Sequence, residues 1–127
     1  MLMRFRRFRN ETGHQLFGSH KMMTPREGEH LVVKKGFGGF ANTPLDTILR
    51  NMGVTTCVIS GVTTCVCVST TVRGGVELNY RMILAGDAVA DVHRDTHDAE
   101  LKTMARIFAE VKTTDEVVAM LADATAR

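Results

Sequence analysis

The chain alternates between short apolar runs rich in β-branched residues and longer segments whose apolar residues recur at helical spacing. The apolar runs predict strands at residues 31–33, 55–60, 81–86 and 110–113. The segments between and after them predict helices at residues 43–52, 67–79 and 95–108, and from residue 113 onward. Strands that alternate with helices are typical of successive βαβ units. Residues 31–127 are therefore predicted to form one α/β domain, a three-layer α/β/α Rossmann-like fold around a parallel sheet.

Capping residues mark two of the predicted helix starts. Thr43 is expected to be an N-cap followed by Pro44 at the first helical position, and Thr113 with Glu116 fits a capping box. Each helix has one apolar face that is predicted to be buried. The predicted buried residues are Leu45, Ile48, Leu49 and Met52, then Leu101, Met104, Ile107 and Phe108, then Val117, Val118 and Leu121.

Residues 1–30 are predicted to be an irregular N-terminal segment. Gly13, Gly18, Pro25 and Gly28 interrupt any long element there, so no strand is expected before residue 31. The basic residues at its start alternate with phenylalanine: Arg4, Phe5, Arg6, Arg7, Phe8 and Arg9. A solvated arm is the favoured interpretation, and a nucleic-acid-binding or membrane-binding arm is the alternative.

The composition excludes several classes of protein. The 127 residues carry a net charge of +2, which is too small to indicate a nucleic-acid partner. No apolar run approaches the roughly 18–20 residues that span a membrane. Three cysteines, an odd number, in a chain without a secretory signal pattern predict reduced thiols and a cytoplasmic protein.

The segment around Cys67 is the strongest candidate for chemistry. Gly61 allows a turn after the predicted strand, and Cys67 lies where the next helix is predicted to begin. A thiol near a helix N-terminus is made more acidic by the helix dipole, and the free N–H groups there can hold an oxyanion. The alternative is that Cys67 is a small core residue.

Lys34 and Asp87 are predicted to lie with Cys67 at the carboxyl edge of the sheet, where ligands bind in such folds. Only one of the adjacent residues Lys34 and Lys35 can point toward a site there.

The remaining cysteines and histidines do not indicate a metal. Cys57 is predicted to pack in the core, and the Cys65–Cys67 pair lacks the second cysteine pair of a zinc site. His93 and His97 are spaced for metal binding on a helix, but loop and cap roles are favoured. No metal or other cofactor is expected.

Three stretches of the sequence resemble the isochorismatase-like cysteine hydrolases, which include nicotinamidases and amidohydrolases of carbamoylsarcosine, biuret and ureidoacrylate. The stretches are residues 34–40, 43–46 and 61–71, and Tyr80, Asp87, Ala88 and His97 also fit. The resemblance implies that Cys67 is the nucleophile and that Lys34, selected over Lys35 by spacing, is the cation that promotes the thiolate. It further implies a cis peptide bond between Val62 and Thr63, and an oxyanion hole formed by the N–H groups of Thr63 and Cys67.

The chain also departs from the family pattern. The family triad includes an Asp on the first strand, and no Asp precedes Asp46 in this sequence. We therefore expect an N-terminally truncated member that lacks the usual first strand and is impaired or inactive alone, unless a partner chain completes it. The Asp-His-His metal site of nicotinamidases is also missing before Lys34, which disfavours that activity.

The function that the resemblance implies is cleavage of a C–N bond in a small amide, carbamoyl or ureido substrate, through a thioester at Cys67. One alternative is hydrolysis of an isochorismate-type vinyl ether, and another is an inactive fragment or oligomerising subunit. A homo-oligomer is expected, with no nucleic-acid or membrane partner. Gly74 and Gly75 within a predicted helix are interpreted as relaxed constraint, and the role of Arg73 stays open between the helix surface and a subunit contact.

Overall fold

The computed structural model of this chain describes residues 4–7 and 26–126. In these residues the strands are β1 (Arg4–Arg7), β2 (Leu31–Lys34), β3 (Thr56–Val62), β4 (Arg81–Ala90) and β5 (Glu110–Lys112). The α-helices are α1 (Leu45–Asn51), α2 (Ser69–Glu77), α3 (Arg94–Thr103) and α4 (Thr114–Thr125). A π-helical turn, Thr64–Val68, runs directly into α2, and a second one, Met104–Phe108, follows α3. None of the helices in the described residues is both long and apolar enough to cross a membrane.

Every strand pair in the described residues is parallel, which confirms the predicted α/β class. One sheet has the order β3-β4-β5, with Val58 opposite Ile83 and Leu84 opposite Val111. In the other sheet β1 pairs with β2. In the described residues the parallel strands thus form two sheets, because β2 pairs with β1 and not with β3.

Strand β1 lies inside the segment that was predicted to be irregular. Arg4 is opposite Leu31 and Arg7 is opposite Lys34 in the parallel ladder. The expectation that no strand precedes residue 31 is therefore wrong at Arg4–Arg7, while residues 8–25 of that segment lie outside the described residues. A four-residue strand has little local signal, since strand formation depends on pairing with a distant neighbour.

Alternating residues of β4 face two hydrophobic clusters, as the two-residue period of a strand requires. Met82 and Leu84 belong to the larger cluster, whereas Ile83 and Ala85 pack with Val117 of α4 in the smaller one. The larger cluster also contains the buried residues Val32, Leu45, Leu49, Ile59, Val68, Val72, Tyr80, Val89 and Met104. Helices α1 and α2 thus pack through one cluster and α4 through the other, which is the predicted layered arrangement.

The two predicted caps have different outcomes. The capping box of α4 is confirmed, because the Thr113 hydroxyl accepts from the N–H of Glu116 and a Glu116 carboxylate oxygen accepts from the N–H of Thr113 at 2.7 Å. Helix α1 begins at Leu45, one residue later than predicted, with Pro44 in the cap position. The Thr43 hydroxyl still accepts a 3.3 Å hydrogen bond from the N–H of Leu45.

Four residues predicted to be buried are instead exposed. Met104 and Val117 are buried, but Met52 is 44%, Ile107 62%, Val118 59% and Leu121 40% exposed. Ile107 follows the change from α3 to the π-helical turn, where Ala109 donates to the carbonyl of Met104. A π-helical turn contains more residues than an α-helical turn, so the residues after Met104 rotate away from the face that the α-helical period predicts.

Gly75 is closely packed against two side chains. A Cβ atom at Gly75 would lie 2.5 Å from Sδ of Met82 and 3.2 Å from the ring of Phe40. The interpretation of relaxed constraint does not describe this tight contact, because a side chain at Gly75 would displace the end of the buried side chain of Met82. At Gly74 the nearest atom to such a Cβ is 3.5 Å away, which is an ordinary contact.

Candidate active site

Cys67 lies in the helical turn that directly follows β3. Gly61 has a φ of +117°, a conformation that favours glycine, and the peptide bond between Val62 and Thr63 is cis. The helical run begins at Thr64, three residues before the predicted start, so Cys67 is its fourth residue. The N–H of Val66 donates to the carbonyl of Thr63 at 3.2 Å, and Cys67 lies in the same N-terminal turn, the end of a helix where N–H groups can lack an intrahelical acceptor.

Contacts within the turn hold the backbone on both sides of Cys67. The N–H of Val68 donates to the carbonyl of Thr63 at 3.1 Å, which is the five-residue spacing of a π-helix. The Thr71 hydroxyl donates to the carbonyl of Cys67 at 2.7 Å and accepts from the N–H of Gly39 at 2.9 Å. The loop after β2 is thus joined to the helix that carries Cys67.

Lys34 and Lys35 differ sharply in their surroundings. Lys34 is only 3% exposed, and its Nζ donates to the carbonyls of Gly36 at 3.1 Å and Phe37 at 2.8 Å, whereas Lys35 is exposed. Among the described residues no carboxylate pairs with Lys34. Burying an ammonium whose partners among the described residues are only carbonyl groups costs free energy.

None of the three cysteines forms a disulfide, and the pKa values of two of the thiols are raised. Burial raises the pKa of Cys57 to about 11, and this residue packs against the larger hydrophobic cluster as predicted. Burial, followed by a hydrogen bond with Asp91, also raises the pKa of Cys65. In the part of the chain that the structure describes, no group of three His, Cys, Asp or Glu side chains is arranged to hold a metal.

Asp87 lies within β4, which does not end before it as predicted. Strand β4 continues to Ala90, and its residues between Leu84 and Val89 bulge out of the pairing with β3. Asp87 accepts hydrogen bonds from the N–H of Thr114 at 2.8 Å and from its hydroxyl at 2.7 Å, so it caps α4. The hydroxyl of Thr114 is the main cause of the lowered pKa of Asp87.

The structure adds side chains around the turn that the sequence did not assign to the site. A carboxylate oxygen of Asp91 accepts from the N–H of Cys65 at 2.7 Å, and this contact is the main cause of the lowered pKa of Asp91. Glu100 accepts from the Ser69 hydroxyl and from the Arg73 guanidinium. Asp91 and Glu100 are more than 25 residues from their partners, at separations of 26 and 31 positions, so no local spacing could have revealed them.

Arg73 and His97 also acquire definite partners. Arg73 lies 4.1 Å from the ring centroid of Phe108 and forms a 2.9 Å ion pair with Glu100. His97 Nδ1 is 2.9 Å from the Thr64 hydroxyl. The resemblance had included His97 without a partner, and the contact with Thr64 is visible only in the folded chain.

This arrangement has a counterpart in known proteins. Residues 3–116 match the isochorismatase domain. Since the match includes most of the sequence, the chain belongs to the isochorismatase family.

Individual relatives agree with the family. The chain is 46% identical over 66 residues to the ureidoacrylate amidohydrolase RutB of Klebsiella pneumoniae, over 52% of this chain and 28% of that protein. It superimposes on an isochorismatase-like hydrolase from Alkaliphilus metalliredigens with a TM-score of 0.81 and 31% identity, over 86% of this chain and 59% of that one. For N-carbamoylsarcosine amidase from Thermoplasma acidophilum the TM-score is 0.69 at 32% identity, over 76% of this chain and 54% of that one. The chain thus spans less than two thirds of the length of these relatives.

Proposed function

We propose that this chain carries the nucleophile of a cysteine hydrolase that cleaves a C–N bond in a small amide, carbamoyl or ureido compound. The observation that carries the proposal is the position of Cys67 in the first turn of a helical run directly after β3. A thiol there is close to the positive end of the helix and to free N–H groups, the arrangement used by activated cysteine nucleophiles. The relatives named as a ureidoacrylate amidohydrolase and an N-carbamoylsarcosine amidase support this substrate class.

The proposed reaction proceeds in two steps. The Cys67 thiolate attacks the carbonyl carbon, and the N–H groups of Thr63 and Cys67 stabilise the resulting oxyanion. The C–N bond then breaks, the nitrogen leaves with a proton as ammonia or an amine, and an acyl or carbamoyl thioester remains on Cys67. Water attacks that carbonyl, the C–S bond breaks, and the acid product leaves while the thiolate is restored.

Lys34 is proposed to favour the thiolate form of Cys67 through its positive charge. Its two carbonyl contacts satisfy two ammonium protons, and no carboxylate among the described residues neutralises it. The family triad also includes an Asp that would take the thiol proton, and no Asp precedes Asp46 here. We propose that the chain by itself works at a reduced rate, because the members of a catalytic unit act together and the loss of one costs orders of magnitude.

The test is hydrolysis by the purified 127-residue chain. Ammonia release is measured with a ureido acid, an N-carbamoyl amino acid and a simple primary amide, and mass spectrometry detects a thioester at Cys67. We expect slow release that Cys67→Ser abolishes, while the matched control Cys65→Ser retains it.

Equal ammonia release by wild type and Cys67→Ser would contradict the proposal. Cleavage of an isochorismate-type vinyl ether without amide hydrolysis would instead support the other enzymatic alternative. Full-rate amide hydrolysis by the isolated chain would contradict only the proposed impairment. The absence of both a thioester and turnover would favour the non-enzymatic alternative.

A further inference from the structure

We propose that His97 is a positioning residue, which holds the turn around Cys67 in its reactive geometry by a hydrogen bond to Thr64. The importance of this contact for chemistry rests on the proposed function of Cys67. The contact between His97 and Thr64, and its effect on the order of the turn, do not depend on the proposed function.

The hydrogen bond fixes the first residue of the helical run. Thr64 is fully buried, at 0% exposure, and its hydroxyl lies 2.9 Å from Nδ1 of His97. A buried hydroxyl needs a partner, and His97 is the partner that the structure gives to this side chain. Cys67 is three residues after Thr64, so a rotation at Thr64 changes the direction of the thiol and of the N–H groups beside it.

One face of α3 and its π-helical extension contacts both ends of the turn. His97, Glu100 and Met104 lie on this face at the spacing i, i+3 and i+7. Glu100 accepts from the hydroxyl of Ser69, the first residue after the turn, while His97 binds the residue that begins the turn. Cys67 therefore lies between two anchors that are provided by the same helix.

The two anchors differ in how well they are supported by neighbours. Glu100 also pairs with Arg73, which in turn contacts the ring of Phe108, so the anchor at Ser69 belongs to a network. At the other end, the Asp91 carboxylate accepts from the N–H of Cys65 and also hydrogen-bonds the Cys65 thiol. The Thr64 side chain depends on His97, and the loss of this one contact should loosen the start of the turn.

The contact between His97 and Thr64 is expected to affect the reactivity of Cys67 through pre-organisation of the turn. A nucleophile and its oxyanion donors act efficiently only when their geometry is held by surrounding contacts. Without the His97 contact, the turn would sample conformations in which the Cys67 thiol is misdirected, while the fold around it is kept by the larger hydrophobic cluster.

Three variants of the full chain test the proposal. His97→Leu removes the ring nitrogens, and Thr64→Val removes the hydroxyl with little change of shape. His97→Asn is the matched rescue variant, because its amide lies close to the position of Nδ1. Hydrogen exchange of a peptide covering residues 62–70 reports the order of the turn. Iodoacetamide labelling at pH 7 with mass mapping reports the reactivity of Cys67, and circular dichroism confirms that each variant folds.

We expect faster exchange in residues 62–70 and roughly fivefold slower labelling of Cys67 in His97→Leu and Thr64→Val, about the effect of one lost hydrogen bond. His97→Asn should restore most of the protection from exchange and most of the labelling rate of Cys67. The double variant Thr64→Val/His97→Leu should be no worse than either single one, because the two changes remove the same contact.

Three results would overturn the proposal: unchanged exchange in Thr64→Val, no rescue by His97→Asn, or losses that add in the double variant. Thr64→Val keeps the test decisive if His97→Leu fails to fold. Wild-type labelling of Cys67 no faster than that of Cys65 would contradict the proposed function. The exchange data would still decide whether His97 orders the turn, so the two failures are distinguishable.

Discussion

The hydroxyl of Tyr80 donates a 2.7 Å hydrogen bond to Oδ1 of Asp46, which joins the residue before β4 to helix α1. The Tyr80 ring stacks on Phe40 with 5.6 Å between centroids, and Arg50 lies over the same ring while it pairs with Asp46. Burial, followed by the bond to Asp46, raises the pKa of Tyr80 to about 12. The Tyr80 hydroxyl is in turn the main cause of the lowered pKa of Asp46.

The raised pKa of Tyr80 predicts a loss of stability at alkaline pH. The unfolded chain ionises its tyrosine near pH 10. The stabilisation is therefore complete below about pH 10 and is lost as the pH rises through about 12. Tyr80 is the single tyrosine of a chain without tryptophan, so tyrosinate absorbance follows it directly. We expect a midpoint near 12 in buffer and near 10 in urea.

Tyr80→Phe provides the control for this prediction. It should unfold at lower urea concentration than wild type at pH 8, since Asp46 loses a donor, and the difference should shrink as the pH approaches 12. A folded-state midpoint near 10 would show that the hydroxyl is solvated and not bound to Asp46.

Alanine substitutions at the two adjacent glycines of α2 should have opposite effects. Gly75→Ala places a methyl group against Met82, and overpacking of this kind costs about 1–3 kcal/mol, partly offset by about 1 kcal/mol of helix propensity. Gly74→Ala meets only ordinary contacts and should stabilise the chain by up to about 1 kcal/mol. Urea unfolding at pH 7 measures both. Equal effects of the two substitutions would contradict the packing that the structure shows.

Cys57 should be the least reactive of the three thiols. Its pKa of about 11 leaves almost no thiolate at pH 8, and its side chain packs against the larger hydrophobic cluster. Time-resolved iodoacetamide labelling with mass mapping should show Cys57 modified last in buffer and at the same rate as the other two in 6 M guanidinium. Early modification of Cys57 in buffer would mean that β3 is open to solvent.

Lys34 is expected to increase the reactivity of the Cys67 thiol and to lower the free energy of unfolding of the chain. Lys34→Met should slow iodoacetamide labelling of Cys67 at pH 7 by about tenfold, because the thiolate loses its cation. The same variant should unfold at an equal or higher urea concentration, since an uncompensated buried charge is removed. Lys35→Met, at the exposed neighbouring position, is the matched control and should change neither property. Slower labelling in both variants would indicate a general charge effect.

The sequence correctly predicted those elements whose signals are local. The strand at β3, the capping box of Thr113 and Glu116, and the burial of Val117 follow from β-branched runs, cap chemistry and helical period. The family was recognised from the spacing around Lys34 and Cys67, and the match over residues 3–116 confirms it. The roles of Lys34, Cys67 and the N–H of Thr63 stay predictions that the experiments above address.

Only the tertiary structure revealed the features that depend on contacts between residues far apart in the sequence. No property of residues 4–7 alone reveals that they pair with β2, and the close approach of Met82 to Gly75 is visible only in the folded chain. The exposure of Ile107 depends on a π-helical turn, a small change in backbone hydrogen bonding that the α-helical period does not contain. The contact between Thr64 and His97 joins residues 33 positions apart. Capping and helical or strand periodicity depend on residues that are neighbours in the sequence. The features above depend on packing and hydrogen bonds between distant segments, which form only when the chain has folded.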